Sequence, residues 1–269
     1  MRIYAFCVYV FLYTPIAIIA LFSFSAGRSA SQFEGFSVQW YGRALNNPFV
    51  MDALGNSVFV AFVSATLASV LGTLAAVGLQ GIRGPVRAFF DALIYIAVMI
   101  PGIVIGIATL IALVSVFGIV NPWLAAVWPD SEAAPSLSMG MGSLIAAHTM
   151  FTLALVIIIV RARLAGLEGS LTEASADLYA TPLGTFRQVT LPLIAPAILA
   201  GFLLSFTFSF DDFIIAFFVA GSETTLPIYI FSSIRRGITP EVNAIGTMVM
   251  VASLVMLVIA QLILRRGAR

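Results

Sequence analysis

Two adjacent carboxylates stand in an apolar setting. Asp211 and Asp212 lie in "SFDDF" at 209–213, within an apolar run over about 193–219. A carboxylate at membrane depth is costly unless it faces water or a partner. If a helix begins near Leu193, Asp211 sits ~27 Å along it at about 1.5 Å per residue. Neighbouring residues on that helix point ~100° apart, so the pair can hardly serve one neighbour. One reading is that either carboxylate lines a path and attracts a cationic solute. The other is a helix-break cap, or an ion pair with Arg235 or Arg236. Phe208, Phe210, Phe213, Phe217 and Phe218 surround the pair. Aromatic faces can hold ammonium groups by cation–π contact, but phenylalanines in a span also serve plain packing. His148, the one histidine, fits either a proton relay or a hydrogen bond across helices.

Little else in the chain has the types or spacing for chemistry. One cysteine, Cys7, makes no intrachain disulfide and no thiolate metal site. There is no G-x-x-x-x-G-K-[ST] phosphate loop, so ATP is not held in that way. No paired acids with a pocket and no metal-ligand cluster are visible. A catalytic role, a metal and a cofactor bound by this chain are therefore not expected. A net charge of +1 gives no sign of nucleic-acid binding.

The elements that position these residues are set by lipid. The chain is 61% hydrophobic and 9% charged, with a mean hydropathy of +1.09. A soluble globule of this size could not hide so much apolar surface. Six segments are long enough to cross a bilayer: 3–24, 54–79, 92–120, 139–160, 193–219 and 244–264. The first exceeds a signal-peptide core and has only Arg2 ahead of it, which favours a retained span; "SFSA" at 23–26 is the competing cleavage site. Six spans put both termini on one side. If that side is the cytoplasm, nine arginines are inside: 2, 83, 87, 161, 163, 187, 265, 266 and 269. Four are outside: 28, 43, 235 and 236. The positive-inside rule then predicts N-in, C-in. The expected organisation is a first transmembrane helix with its outer loop at 1–53, a membrane domain at 54–264 and a cytoplasmic tail at 265–269. Trp40 and Tyr41 in the outer loop read as interfacial residues. In the third span, Pro101 lacks an N–H and predicts a bend, while Gly102 and Gly106 allow close helix approach. Irregular backbone at membrane depth is tolerated where protein or water covers it.

The loop at 161–192 is longer than a connection needs. Ser170 and Glu173 fit a capping box, and a short helix is expected from Leu171 to Ala180. Thr181-Pro182 gives an N-cap with proline at the first helical position. A second short helix is expected to about Thr190, ended by Pro192. The pair should display Ala174, Leu178, Tyr179, Phe186 and Val189. A surface helix lying on anionic lipid would carry Lys or Arg on its polar face. This one carries Glu173 and Asp177, with Glu168 nearby, which suits a protein partner better.

At these residues the chain resembles a known family. "EASADLYATPLGTFRQVTLPLIAP" at 173–196 is similar to the EAA loop of binding-protein-dependent ABC importer permeases of type I. Glu173, Ala174 and Ser175 match its opening, and Leu191-Pro192 its close. The resemblance implies that Glu173, Ala174, Ser175, Asp177, Leu178, Tyr179, Ala180, Pro182, Phe186, Leu191 and Pro192 belong to a cytoplasmic coupling helix, between spans four and five, seated in a groove of an ATPase. One position departs from the pattern: Tyr179 stands where the family has glycine. Tyrosine cannot cheaply take φ > 0, so the loop is expected to bend elsewhere or to meet its ATPase with altered packing. "IIVRARLAGL" at 158–167, "SFDDF", "TTLPIYIFSSIRRGITPEVNAIGT" at 224–247 and "NSVFVAFVSATLASVLGTLAA" at 56–76 extend the similarity to the spermidine/putrescine subgroup over nearly the whole chain.

The resemblance implies an all-α, non-catalytic permease subunit in the bacterial inner membrane. Its implied partners are a second similar permease, two ATPase subunits that carry ATP and Mg, and a periplasmic substrate-binding protein. The implied solute is a polyamine, with Asp211, Asp212, Phe210 and Phe213 on its path. Relatives carrying aminophosphonates, opines or amino-acid derivatives look much alike. A different class, an ion-coupled secondary transporter, would rely on Asp211, Asp212 and His148 as titrating groups. It would also be expected to show an inverted repeat, and none is detected. A membrane-embedded enzyme lacks a catalytic constellation.

Overall fold

The computed structural model describes residues 1–29, 32–130, 134–167, 169–237 and 239–267; the side chains of 169, 172 and 256–267 are not described. Among the described residues the regular structure is helical: α1 (Arg2–Phe22), α2 (Gln39–Asn46), α3 (Pro48–Gly78), α4 (Gly84–Met99), α5 (Gly102–Val127), α6 (Met141–Ala165), α7 (Gly169–Asp177), α8 (Pro182–Thr185), α9 (Leu191–Asp211), α10 (Ile214–Val219), α11 (Leu226–Arg236) and α12 (Pro240–Gly267). Five segments are long and apolar enough to cross a membrane: α1, α3, α5, α6 and the stretch Pro182–Asp211. A shorter apolar helical stretch spans Pro240–Val255.

The chain forms two compact units: Met1–Gly55 with Leu226–Arg269, and Asn56–Thr225. In the first, α12 packs against α1 and α2. Trp40 is buried at 5% exposure, with Nε1 donating to Ser25 O and the Arg43 guanidinium over its ring. It is a core residue of this unit; burial of the ring needs a partner for the indole N–H, and Ser25 supplies it. Tyr41 Oη lies 2.6 Å from Ser23 Oγ. α12 continues to Gly267, into the segment expected as a tail, and residues 268–269 lie outside the described residues.

In the second unit α6 is the central helix, packed against α9, α4 and α10. Small residues let it lie close to its neighbours: a Cβ on Gly72 of α3 would come 2.8 Å from Val156 Cβ, and Gly201 of α9 faces the same valine. The core here holds Ala76, Leu79, Ile94, Ile157, Val160, Leu164 and Ile194.

The third span differs from the expected 92–120. The helix stops at Met99, Ile100 and Pro101 are extended (ψ 134° and 135°), and α5 starts at Gly102. Proline pushes the residue before it out of the helical region and offers no N–H, so the bend is a full interruption and the apolar crossing helix begins ten residues later. Gly106 receives α10: a Cβ there would stand 2.7 Å from Phe218 Cδ2. α3 begins at Pro48, earlier than expected, because Asn47 Oδ1 accepts the Phe49 N–H and caps it.

Candidate functional site

The loop after α6 folds as two short helices, with corrections to the expected detail. α7 begins at Gly169, so Ser170 stands inside its first turn rather than at its cap; the Glu168 position lies outside the described residues. The helix ends three residues sooner than expected, at Asp177. The reason is Tyr179, which takes φ 59°. Among the described residues it is the one non-glycine with positive φ. Tyr179 N–H reaches Ala176 O (2.9 Å) and Ala180 N–H reaches Ser175 O (3.1 Å). These are the two hydrogen bonds of a Schellman cap. The turn expected elsewhere is thus made by the tyrosine itself, where the cap's hydrogen bonds offset a left-handed cost of about 1–2 kcal/mol.

Thr181 then caps α8, its Oγ1 accepting from Gly184 N–H at 3.2 Å, with Pro182 at the first position. Ser175 and Thr185 hydroxyls meet at 2.8 Å and tie the two short helices together. Pro192 does not end the second helix. A π-helical segment, Phe186–Thr190, runs straight into α9, with Leu191 N–H reaching Phe186 O. The wider turn absorbs the N–H that Pro192 lacks. Glu173, Ala174, Asp177, Leu178, Tyr179, Ala180 and Pro182 are exposed, Ser175, Phe186, Val189 and Leu191 half-buried. Leu178, Tyr179 and Leu183 are 81%, 96% and 74% exposed and form an apolar knuckle flanked by two carboxylates.

The acidic pair lies at a helix break. α9 ends at Asp211; Asp212 is extended (ψ 118°), and α10 follows from Ile214. The break separates the two carboxylates. Asp212 is half-buried, and its Oδ2 accepts the Ala216 N–H at 3.0 Å. The same oxygen lies 3.7 Å from His148 Nε2, while His148 Nδ1 meets Ser209 Oγ at 2.7 Å. His148 is 2% exposed. Asp211 is exposed and makes no hydrogen bond or ion pair among the described residues. It ends an exposed stripe of α9 that includes Leu204, Thr207 and Phe208. Phe210 is half-buried and stacks on Phe206 at 6.0 Å; Phe213 packs on Phe217 at 5.4 Å. These ring faces are used by other rings, which favours packing over a cation cage.

Other polar links were not visible in sequence. Ser143 Oγ donates to Val219 O at 2.6 Å, joining the start of α6 to the end of α10. Asn56 Nδ2 donates to Glu223 Oε2 and to Thr224 O. At the other end of α6, Arg161 donates to Asp91 Oδ1. That hydrogen bond, helped by the charges of Arg161 and Arg87 and opposed by desolvation, holds the Asp91 carboxyl below the usual range. Asp91 lies just before the apolar stretch of α4.

Residues 68–268 match the family described as "Binding-protein-dependent transport system inner membrane component". The chain belongs to this family. The permease is 38% identical over 265 residues to the spermidine/putrescine transport system permease protein PotC of Haemophilus influenzae, covering 98% of this chain and 96% of that one. It is 36% identical over 249 residues to the putrescine transport system permease protein PotI of Escherichia coli, covering 90% and 82%. A bacterial ABC transporter involved in import of the acidic polysaccharide alginate has a chain of the same fold, with a TM-score of 0.76 at 15% identity over 100% of the permease and 95% of that chain. The MetNI methionine ABC transporter gives 0.62 at 18% identity, over 81% and 95%. The permease is thus a multi-pass membrane protein with the ABC importer permease fold.

Proposed function

We propose that this permease forms half of the translocation path for a polyamine in an ATP-driven importer. The names of its relatives support the solute class. The observation that carries the path is Asp211: a carboxylate left without a partner on the exposed face of α9, where a cationic solute can use it. Asp212 serves the protein instead, as the cap of α10. In this reading six spans cross the inner membrane with both termini in the cytoplasm, α12 being the sixth. Residues 1–53 hold the first transmembrane helix and outer loop, and 54–264 the importer domain.

The segment 161–192 is then cytoplasmic. Its knuckle at Leu178, Tyr179 and Leu183, with Glu173 and Asp177 beside it, docks on one of two ATPase subunits that bind ATP and Mg. A second, similar permease completes the path, and a periplasmic binding protein delivers solute. Closure of the ATPases pushes the short helices, and because the π-segment runs straight into α9, the push reaches Asp211 along one continuous helix. The test is uptake of labelled spermidine and putrescine into vesicles holding the full assembly and its binding protein, with and without ATP. ATP-dependent uptake is the expected result. ATP hydrolysis stimulated by the binding protein without uptake of either would discard the polyamine, and aminophosphonates, opines and amino-acid derivatives would then be screened.

A further inference from the structure

The end of α6 nearest the short helices carries a second polar cluster, remote from the acidic pair. Arg87 Nε lies 3.4 Å from Asp91 Oδ2, and Arg87 Nη1 donates to Leu79 O at 2.9 Å. Arg161 donates to the other oxygen of Asp91. Two residues on, Arg163 Nε donates to Leu193 O of α9 at 3.0 Å. One carboxylate on α4 therefore joins α6 directly and, through Arg87, the chain just after α3. The next arginine of α6 holds the first turn of α9. Beneath these bonds lie Leu79, Ile94, Val160, Leu164 and Ile194, one buried residue or more from each of the same four elements.

We infer that Asp91 is a positioning residue for energy coupling: it clamps α4 to α6, so that a push on the short helices moves α4 together with α6 and α9. This rests on the reading of 169–190 as the segment that receives the push. The magnitudes favour this role over a purely stabilising one. The side chains of Arg87, Asp91 and Arg161 are 35%, 29% and 19% exposed, and partly exposed ion pairs add little stability. What the cluster supplies is connection: it is the ionic link, among the described residues, between α4 and α6. Removing the carboxylate leaves two guanidiniums without their shared counter-charge, so α4 is held to α6 by apolar packing alone.

The experiment uses the full assembly in vesicles, with uptake of labelled putrescine and binding-protein-stimulated ATP hydrolysis read in parallel. Asp91→Asn is expected to lower solute moved per ATP by about threefold or more, with assembly and ATP hydrolysis retained. Asp91→Glu should keep much of the coupling. The charge swap Asp91→Arg with Arg161→Asp should recover more than either single change. An unchanged ratio in Asp91→Asn would overturn the inference. So would a fall that only tracks loss of assembled complex, or a swap no better than its singles. Failure of the wild-type assembly to move any solute with ATP is a separate result: it overturns the proposed function and this inference with it.

Discussion

The turn at Leu178–Ala180 and the break at Asp211–Phe213 both interrupt helices, and they are built in opposite ways. The turn is exposed, is closed by backbone hydrogen bonds and puts a tyrosine at φ 59°. The break is lined by buried groups, and its inward carboxylate has Ala216 N–H and His148 facing it. Only the outward carboxylate, Asp211, is left over. A strained exposed turn topped by Leu178, Tyr179 and Leu183 gives its own chain nothing that a glycine would not give better. Such a feature makes sense where another molecule covers it. The break, by contrast, explains itself from inside the chain, apart from Asp211. The difference separates residues that face outward to partners from residues that hold the frame.

That contrast can be broken by substitution, and the largest effect should come from the frame. Gly221 closes the turn after α10 at φ 59°, and a Cβ there would meet Met139 O at 2.4 Å. Gly221→Ala should cost about 3 kcal/mol, by clash and by left-handed strain; thermal unfolding of the purified protein in detergent reads it. Next is Asp212→Ala, which removes the acceptor for Ala216 and should cost about 1–2 kcal/mol. Asp212→Asn keeps an acceptor oxygen and should recover most of that loss. If both variants melt alike, Asp212 is not a cap.

On the exposed side the signs change. Tyr179→Gly should stabilise the turn by about 1 kcal/mol, seen as slower hydrogen exchange at the end of α7. Tyr179→Ala keeps the left-handed cost and should not. The smallest stability effect belongs to Glu173→Ala, within about 0.5 kcal/mol for an exposed side chain, yet it should lower transport with the protein still in the membrane. Normal uptake in that variant would remove the loop from the mechanism.

Much of this organisation was legible because lipid imposes simple rules. Long uncharged runs read as crossing helices, and "EASADLYATP" with its close at Leu191-Pro192 reads as the family's loop. What was not legible depended on compensation or on distance. Tyr179 argues against a turn by its own preferences, and only the Schellman bonds to Ser175 and Ala176 make it possible. Pro192 argues for a helix stop, and the π-segment cancels it. Pro101 signals a bend, but not that the crossing helix shifts to Gly102–Val127. The bond from Trp40 Nε1 to Ser25 O joins residues 15 positions apart, and nothing in the sequence near either residue signals it. The pairs His148–Ser209 and Arg161–Asp91 join residues 61 and 70 positions apart, and no local pattern announces them.

The acidic pair gives the most direct measurement. Asp211→Asn and Asp212→Asn would be compared in the same vesicle assembly, with melting temperature and polyamine uptake read for each. Asp211→Asn should leave the melting temperature and ATP hydrolysis unchanged and lower uptake. Wild-type uptake in Asp211→Asn would contradict the account, because the member of the acidic pair left without a partner among the described residues would then have no part in carrying the solute.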